Sequence, residues 1–331
     1  MSRSVLFLGG TGTISWWCVR AAQKAGWQVT VVGRGTAKLR SEHDAVRFIR
    51  ADVRDSAGLA KALTGLEFDA VADFLTYDVE RLEANVETLG ERIGQYVFVS
   101  TASAYQKPLA ALPITESTPL ANPYWEYSRK KIACEDRLIK LVRERAYPAT
   151  IVRPSHTYDA ASQVTLGGWT DVARMRDGLP VVVHGDGTSP WTLTHAPDFA
   201  YCFQALLGDP RAIGDTFHIT GDEALTWDAI YRELARAAGA PEPKLVHVAS
   251  QTIARFAPDT FGTLVGDKAH AAVFDNSKVR RIATGFAQRI SWAQGSRQIV
   301  DFHDSHPDWA ARSPEWDALS EQLAAFAGSS L

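Results

Sequence analysis

The chain has 331 residues, of which 46% are hydrophobic and 22% charged, a balance typical of a globular protein with one large α/β domain or two lobes. Its net charge of −3, without any dense run of lysine and arginine, argues against a nucleic-acid partner. No apolar stretch is long enough for a membrane span and the N-terminal apolar run is too short for a signal sequence, so we expect a cytoplasmic protein without a membrane partner.

The first predicted elements are a strand, a glycine loop, a helix and a second strand. An apolar run at 5–8 leads into the loop, the pattern at 16–25 predicts a helix, and the run at 28–32 predicts another buried strand. Uninterrupted apolar strands that alternate with helices predict a parallel sheet covered on both faces. The sequence therefore predicts an α/β fold with a doubly wound, Rossmann-type sheet.

The loop between these elements contains the residues that a dinucleotide requires. Gly9 can form the tight turn, and Gly12 lets a pyrophosphate approach the backbone at the N-terminus of the helix, where N–H groups and the helix dipole favour phosphate. Ser15 takes the place of the third glycine of this fingerprint. We therefore predict a dinucleotide held by Gly9, Gly12, Thr13 and Ile14.

The end of the second strand bears on which dinucleotide binds. Proteins that prefer NAD have an acidic residue there, which accepts hydrogen bonds from the ribose hydroxyls. This chain has Gly33 followed by Arg34. Because a guanidinium suits a 2′-phosphate, the sequence slightly favours NADP over NAD, with Arg34 as a cofactor ligand.

Further apolar runs predict the rest of the sheet. The predicted strands lie at 46–49, 70–74, 95–100 and 150–154, and the predicted helices at 57–63, 79–89 and 125–145. Asp52 and Val53 follow the third strand, where Asp52 would bond the adenine amino group and Val53 would contact the ring. Ligands of such sheets bind at the carboxyl ends of the strands, so Phe74 and Pro154 are predicted to line the cofactor site.

The predicted chemistry depends on Tyr127 and Lys131, which are four residues apart on the long helix and so share one face. Tyrosine is too weak an acid to act as a base at neutral pH, but the Lys131 ammonium and a nicotinamide ring would lower its pKa. Lys131 would also hold the nicotinamide ribose. A hydroxyl at the end of the fifth strand should position the substrate oxygen. Of Ser100, Thr101 and Ser103 we choose Thr101, and we assign Ser103 to the substrate.

From residue 156 the pattern is less regular and rich in tryptophan. We predict a dinucleotide-binding domain at 1–155 and a smaller α/β substrate-binding lobe at 156–331, with elements near 197–220 returning to the first domain. Cys18, Cys134 and Cys202 have no ligand-like spacing, so we expect reduced core thiols and no metal site.

These motifs resemble the extended short-chain dehydrogenase/reductase superfamily, in particular the NAD-dependent epimerase/dehydratase family. The resemblance extends from Val5 to about Val300. The motifs that carry it are Gly9-X-X-Gly12-X-X-Ser15, Asp52-Val53, Ser100-Thr101, Tyr127-X-X-X-Lys131, Glu135, Arg153-Pro154, Gly185-Asp186-Gly187, Asp198 and Asp275-Asn276-Ser277-Lys278. It implies the fold, a nicotinamide cofactor, and a homodimer formed through the helices that begin near Val79 and Trp125.

Departures from the family pattern bear on the substrate. Ala102-Ser103 stand where sugar dehydratases have Asp-Glu, which argues against a sugar 4,6-dehydratase. Trp191 stands where members that bind nucleoside diphosphate sugars have an arginine, and an indole can stack on a sugar or base but cannot neutralise a diphosphate. His156 is either a second acid/base, a hydrogen-bond partner of the substrate or a structural residue. Further candidates for the pocket wall are Trp169, His195, Lys268 and His270.

We predict an NAD(P)-dependent oxidoreductase that acts on a secondary alcohol or ketone of a sugar, nucleoside or related polyol. Family analogy favours an epimerase with a transient keto intermediate. The alternative is an NADPH-dependent reductase or dehydrogenase that releases its product. A second alternative is a non-catalytic dinucleotide-sensing or RNA-associated protein, which loss of the Tyr-Lys pair or a basic face would indicate.

Overall fold

The structure is a computed structural model that describes residues 3–37 and 46–329. The strands are β1 (Ser4–Leu8), β2 (Gln28–Gly33), β3 (Arg47–Arg50), β4 (Ala70–Asp73), β5 (Tyr96–Val99), β6 (Ala149–Pro154), β7 (His156–Tyr158), β8 (Val181–His184), β9 (Pro190–Trp191), β10 (Leu193–His195), β11 (Thr216–Ile219), β12 (Leu225–Thr226) and β13 (Leu245–Val248). The helices are α1 (Thr13–Lys24), α2 (Ser56–Ala62), α3 (Val79–Leu89), α4 (Glu126–Arg145), α5 (Trp169–Arg176), α6 (Ala196–Leu206), α7 (Trp227–Ala237), α8 (Ser250–Phe256), α9 (Phe261–Thr263), α10 (Ser277–Arg280), α11 (Trp292–Ser305) and α12 (Pro314–Ser329).

Within the described residues, seven strands form one parallel sheet in the order β11-β6-β5-β4-β1-β2-β3. β1 pairs with β2 on one side and β4 on the other, so Val5 lies opposite both Val29 and Ala70. The strand order reverses between β1 and β4, which is where ligands of doubly wound sheets bind. The predicted α/β fold with a doubly wound sheet is confirmed.

The apolar run of β1 follows from its place at the centre of the sheet. Successive side chains of a strand point to opposite faces. Phe7 packs in the cluster that contains Phe203 of α6, whereas Leu6 and Leu8 pack in the cluster that contains Leu138 of α4. Because helices cover both faces, no position of β1 meets water, and its residues from Val5 onward are fully buried.

The second half of the chain builds a smaller lobe and returns once to the large sheet. The core of this lobe contains Trp169, Trp191, Trp227 and Trp292, and β8 pairs with β13 in parallel. Between β10 and β12 the chain returns to the large sheet: α6 packs against α1, and β11 pairs with β6 at the sheet edge.

The structure also describes the cysteines, the possible metal ligands and the apolar character of the helices. Cys18, Cys134 and Cys202 are buried thiols without a disulfide, and the part of the chain described here contains no group of three or more His, Cys, Asp or Glu side chains placed to hold a metal ion. Among the helices that the structure describes, none combines the length and apolar character needed to cross a membrane.

Candidate active site

Two adjoining cavities lie at the carboxyl ends of the sheet strands. The larger has a volume of about 820 Å³ and follows the glycine loop and the ends of β2 and β4. The smaller, of about 340 Å³, lies between the end of β5, the start of α4 and the small lobe. Ile14 and Thr157 line both cavities, so the two form one continuous cleft.

The glycine loop gives the larger cavity a wall that only glycine can form. Gly9 has a φ of +84°, and a Cβ there would lie 2.9 Å from Leu75. A Cβ on Gly10 would lie 2.7 Å from Val31. The backbone N–H of Gly12 donates to Ser15 Oγ at 3.0 Å, so the hydroxyl that replaces the third glycine ties the loop to the first turn of α1.

The start of α1 fits a phosphate. Its first turn contains no acidic residue, and a helix N-terminus leaves its first backbone N–H groups without an intrahelical acceptor and carries the positive end of the dipole. The predicted ligands Gly9, Gly12, Thr13 and Ile14 all line the larger cavity. The residues present therefore fit the pyrophosphate of a dinucleotide.

The far end of the larger cavity is lined by Arg34, Asp52 and Val53, and Phe74 lines the wall at the end of β4. Asp52 accepts hydrogen bonds from the Arg54 guanidinium, with Nη2 at 2.8 Å from Oδ2, and this partner lowers the pKa of Asp52. The carboxylate predicted to bond an adenine amino group thus already has a partner in the protein.

Tyr127 and Thr101 line the smaller cavity together. Burial and the neighbouring Tyr77 raise the pKa of Tyr127 to about 12, against a hydrogen bond with Thr101 that lowers it. In the protein alone, desolvation of the phenolate is the largest effect on this pKa. The lowering predicted from the sequence requires a bound nicotinamide ring as well and stays a prediction.

Lys131 is only 2% exposed and lines neither cavity. Its Nζ donates to the backbone carbonyls of Thr76 and Val99 at 2.7 and 2.8 Å and lies 4.7 Å from the centre of the Tyr77 ring. Burial lowers the pKa of Lys131 to about 8. An ammonium has three donors, so one remains beyond these two carbonyls.

A row of hydroxyl groups continues from Thr101 into the protein. The Oγ1 of Thr101 and the Oγ of Ser103 are 3.0 Å apart, and the Oγ of Ser103 is 2.7 Å from the Oγ of Ser128. Ser103 also lines the smaller cavity. Its hydroxyl nevertheless has two protein partners, so it orients Thr101 as well as facing a ligand.

His156, Trp191 and Pro154, the last residue of β6, also line the smaller cavity. The indole Nε1 of Trp191 donates to Nδ1 of His156 at 3.1 Å. Because that nitrogen accepts, the neutral ring carries its proton on Nε2. Burial and the nearby Lys268 hold the pKa of His156 well below its usual range, so the ring is a neutral donor. The second acid/base role does not fit this geometry, whereas a hydrogen bond to substrate does.

A sequence model of the NAD dependent epimerase/dehydratase family matches residues 5–220, which is more than half of the chain. The chain belongs to this family. The resemblance predicted from its motifs is therefore confirmed.

Two curated relatives are each 28% identical to this family member. One is the chloroplast stem-loop binding protein of 41 kDa b from Arabidopsis thaliana, aligned over 74% of this chain and 66% of its own length. The other is the 2′-dehydrokanamycin reductase of Streptomyces kanamyceticus, aligned over 72% of this chain and 67% of its own length. The matched region thus spans only about two thirds of either relative.

A solved epimerase structure from Methanothermobacter thermautotrophicus superposes on this family member with a TM-score of 0.78 over 93% of this chain and 94% of the other. The two sequences are 13% identical. A likeness at this identity shows a shared fold.

Three residues of the family motifs, Glu135, Arg153 and Ser100, stabilise the elements that carry the site. Glu135 of α4 accepts from the Arg153 guanidinium of β6, with Nε at 3.0 Å from Oε1, and also accepts from the Ser100 hydroxyl at the end of β5. All three are buried. This network fixes the helix that carries Tyr127 and Lys131 against the strand that precedes Thr101. A substitution that removes only one partner of such a buried charge pair strongly destabilises the folded protein.

One predicted pocket residue lies elsewhere. Trp169 is 6% exposed and packs in the core of the small lobe, where its ring stacks on His303 with centroids 4.7 Å apart. It lines neither cavity of the cleft, because its ring is taken up by packing in the core of the lobe. His195 and His270 also line neither cavity, whereas Lys268 lines the smaller one.

The sequence analysis missed three residues that line the smaller cavity: Lys107, Trp125 and Asp267. Lys107 lies in a loop after β5 without any motif around it. Asp267 and Lys268 end a π-helical segment, Leu264–Lys268, and such segments are frequent at functional sites but have no sequence signature. Only the paired tryptophan and tyrosine at the start of α4 offered a signal, since Trp125 is two residues from Tyr127.

Proposed function

We propose that this protein is an NADPH-dependent reductase that converts a ketone of a sugar-sized polyol into a secondary alcohol and then releases it. The observation that carries the proposal is the placement of the Tyr127 phenol beside Thr101 in the smaller cavity, where the two side chains are hydrogen-bonded and burial raises the pKa of the phenol. A proton donor at this position suits the reduction of a carbonyl group.

The chain's own groups account for the proton transfer. When bound, a nicotinamide dinucleotide supplies the hydride that adds to the carbonyl carbon. Tyr127 Oη donates its proton to the carbonyl oxygen, so the C=O double bond becomes a C–OH single bond. Thr101 Oγ1 holds the same oxygen by a hydrogen bond. The hydroxyls of Ser103 and Ser128 keep Thr101 in place by hydrogen bonds, and Tyr127 recovers its proton from solvent once the product has left the cleft.

The cofactor residues support a dinucleotide with a 2′-phosphate. Arg34 lines the larger cavity just after β2, and that strand ends at Gly33 without a carboxylate. Gly9, Gly12, Thr13 and Ile14 would hold the pyrophosphate, whereas Lys131, which lines neither cavity, supports the site from behind through its bonds to the carbonyls of Thr76 and Val99. The family name mentions NAD, so a preference for the 2′-phosphate would be a feature of this chain that depends on Arg34.

The smaller cavity supports a substrate of modest size. Its volume of about 340 Å³ lies at the low end of the range for ligand sites, roughly 300–1,000 Å³. Trp191 stands in its wall, and an indole cannot neutralise a diphosphate. Both features argue against a nucleoside diphosphate sugar and for a sugar or related polyol without a nucleotide. The Streptomyces relative, named as a reductase of a dehydrokanamycin, agrees with net reduction.

Epimerisation is the second candidate, and the family favours it. An epimerase must present both faces of its keto intermediate to one hydride donor, which requires room for the substrate to turn. The small cavity and Arg34 support release of the reduced product instead.

An RNA-associated role is the third candidate, since the Arabidopsis relative is named for stem-loop binding. The intact Tyr127–Lys131 pair and the net charge of −3 support an enzyme. A gel-shift titration with a stem-loop RNA at physiological salt should give no complex.

Native mass spectrometry of the purified protein tests the proposal first. We expect no stoichiometric NAD, and we expect faster oxidation of NADPH than of NADH with a panel of keto-sugars. Stoichiometric NAD that survives purification, with interconversion of sugar epimers and no net redox change, would establish the epimerase instead. RNA binding without turnover of any ketone would reject both enzymes.

A further inference from the structure

Three charged side chains line the smaller cavity without a direct partner. They are Lys107, Asp267 and Lys268. Lys107 is 4% exposed, so it is buried within the protein and the cavity. Among the described residues, none lies within ion-pair or hydrogen-bond distance of the charged end of any of the three. The closest described aromatic contact is that of Lys268 Nζ, 5.8 Å from the centre of the Trp191 ring.

Charged groups without a direct partner are expensive to bury in a folded protein. Lys107 is buried, and Asp267 and Lys268 are partly buried in the cavity wall. Burial lowers the pKa of Lys107 and of Lys268 and raises that of Asp267, and the opposite charges of Asp267 and the two lysines act against these shifts. The three groups thus compensate one another at a distance, but within the described residues none of them has a side-chain hydrogen bond or salt bridge. Their polar atoms therefore remain available to the polar groups of a ligand.

The charges of these groups indicate the charge of the ligand that the cavity would bind. Two ammonium groups and the Nε2–H of His156 are donors, and only Asp267 is an acceptor with a negative charge. The charged groups of the cavity therefore sum to a positive site. An anionic group would satisfy the lysines, and a hydroxyl on the same molecule would donate to Asp267. A polycation would meet two unpaired ammonium groups and be repelled.

We infer that the smaller cavity selects a sugar or polyol that carries one anionic group, either a carboxylate or a phosphate monoester, bound by Lys107 and Lys268. This inference rests on the proposed function, for which it names the substrate class. The anionic group lies away from the reacting carbon, which must be next to Tyr127 and Thr101.

The distance between these two ends is held by the protein. The Nδ2 of Asn122 donates to the carbonyls of Ser103 and of Gly266, at 2.8 and 2.7 Å. It thereby joins the turn after Thr101 to the π-helical segment that carries Asp267 and Lys268. The backbone carbonyl of Lys268 is also bonded to Nε2 of His184 at 3.0 Å. A rigid spacing of this kind selects which ketone of an acidic sugar reaches Tyr127.

Binding measurements test this inference without any need for turnover. Protein saturated with NADP⁺ is titrated calorimetrically with three matched sets: glucose, glucuronate and glucose 6-phosphate; galactose, galacturonate and galactose 6-phosphate; glucitol and gluconate. We expect at least one acidic member to bind tenfold or more tightly than its neutral partner. The carboxylate and phosphate arms identify which anion the site takes.

Variants locate the anion within the cavity. Lys107→Met and Lys268→Met keep the length of the side chain and remove its charge, and neither breaks an ion pair, so we expect both to fold. Each should weaken binding of the acidic sugar about tenfold or more, while Lys268→Arg should retain part of it. Lys244→Met, at an exposed lysine outside the cavity, is the matched control and should bind like the wild type.

Three results would overturn the inference: neutral sugars that bind as tightly as acidic ones, lysine variants that bind acids unchanged, or no binding by any acidic member. Failure of the proposed function looks different. If acidic sugars bind through Lys268 but no ketone is reduced, only the reductase proposal falls. If neutral ketones are reduced by NADPH and acids do not bind, only this inference falls.

Discussion

The two ends of the cleft treat their polar groups in opposite ways. At the dinucleotide end, two polar side chains already have protein partners: Ser15 accepts from Gly12 and Asp52 is bound by Arg54. At the substrate end, Lys107, Asp267 and Lys268 have no hydrogen-bond or salt-bridge partner for their side chains among the described residues. The first end offers mainly backbone groups and shape to a ligand, with Arg34 at its far end, and the second offers three charged side chains.

This difference teaches how each end recognises its ligand. A backbone cradle depends on glycines and on the start of a helix, so it tolerates little variation and binds a common cofactor. A set of unpaired side chains from separate loops can change one residue at a time. We therefore expect specificity to reside in the small lobe and catalysis in the strand ends of the sheet.

Removal of the proton donor should have the largest effect. In Tyr127→Phe the phenolic proton is lost and the ring is kept, so turnover should fall about a thousandfold, within the range for general acid–base catalysis, while the dinucleotide still binds. Steady-state rates and cofactor titrations measure the two quantities. Tyr124→Phe, three residues earlier and outside the cavity, is the control. Retention of more than a tenth of the activity in Tyr127→Phe would remove Tyr127 from the mechanism.

Asp171, another acidic residue of the small lobe, differs from Asp267 in that its carboxylate has hydrogen-bond donors from the protein. Asp171 is fully buried and accepts from the Gly167 N–H at 2.9 Å and from Trp316 Nε1 at 3.1 Å, yet burial raises its pKa from 3.8 to about 6. The folded state thus holds the proton more tightly than the unfolded state. Stability should be greatest below pH 4 for this group and should fall as the pH rises from 4 to 6, by about 3 kcal/mol in total.

Urea unfolding of the wild type and of Asp171→Asn between pH 4 and pH 7 measures this term. The variant should lose the decline, whereas Asp301→Asn, at an exposed position of α11, should keep it. Parallel pH curves for all three proteins would show that Asp171 ionises normally.

The sequence signals for the dinucleotide end are local, and the predicted Gly9, Gly12 and Arg34 line the larger cavity. The glycine loop and Arg34 belong to one strand–loop–helix–strand unit, and the Tyr127–Lys131 spacing, which concerns the reacting centre, lies within one helix. The substrate end could not be predicted in this way. Lys107 and Asp267 are far apart in the chain and meet only in the folded protein, and Trp169 could not be distinguished from the pocket tryptophan Trp191 because both follow irregular sequence.

The tyrosine itself shows a subtler limit of sequence analysis. The Tyr-X-X-X-Lys spacing predicts its position, but the pKa shift that the protein alone produces depends on how deeply the ring is buried. The burial of the Tyr127 ring depends on the residues that surround it in the folded protein, and the Tyr-X-X-X-Lys spacing does not give these residues.

Loss of the cation at the end of β2 should have a smaller effect than either change above. In Arg34→Gln the charge that would meet a 2′-phosphate is removed, so KM for NADPH should rise about tenfold, while KM for NADH stays the same. Arg47→Gln on the neighbouring strand β3 is the control, since Arg47 does not line the cavity. An equal rise for both dinucleotides would assign Arg34 to the loop structure and leave the phosphate without a ligand.

The smallest effect is expected for alanine substitution in the glycine loop. A comparison of two glycines separates the cost of backbone strain from the cost of a steric contact. Gly9 and Gly65 both have a positive φ, but a Cβ on Gly9 meets Leu75 at 2.9 Å and a Cβ on Gly65 meets nothing within 4 Å. Gly9→Ala should therefore lower the free energy of unfolding by about 1 kcal/mol more than Gly65→Ala does. Equal losses in urea unfolding would mean that Leu75 moves aside without cost.

The edge strand β11 has a consequence for the order in which the protein can form. It covers β6 in the large sheet, yet it is synthesised only after β7 to β10 of the small lobe. While the chain grows on the ribosome, the hydrogen-bonding groups along β6 stay bare until residue 219 has emerged. A fragment that stops at the predicted boundary near residue 155 would keep that edge open permanently, so we expect it to self-associate where the whole chain does not.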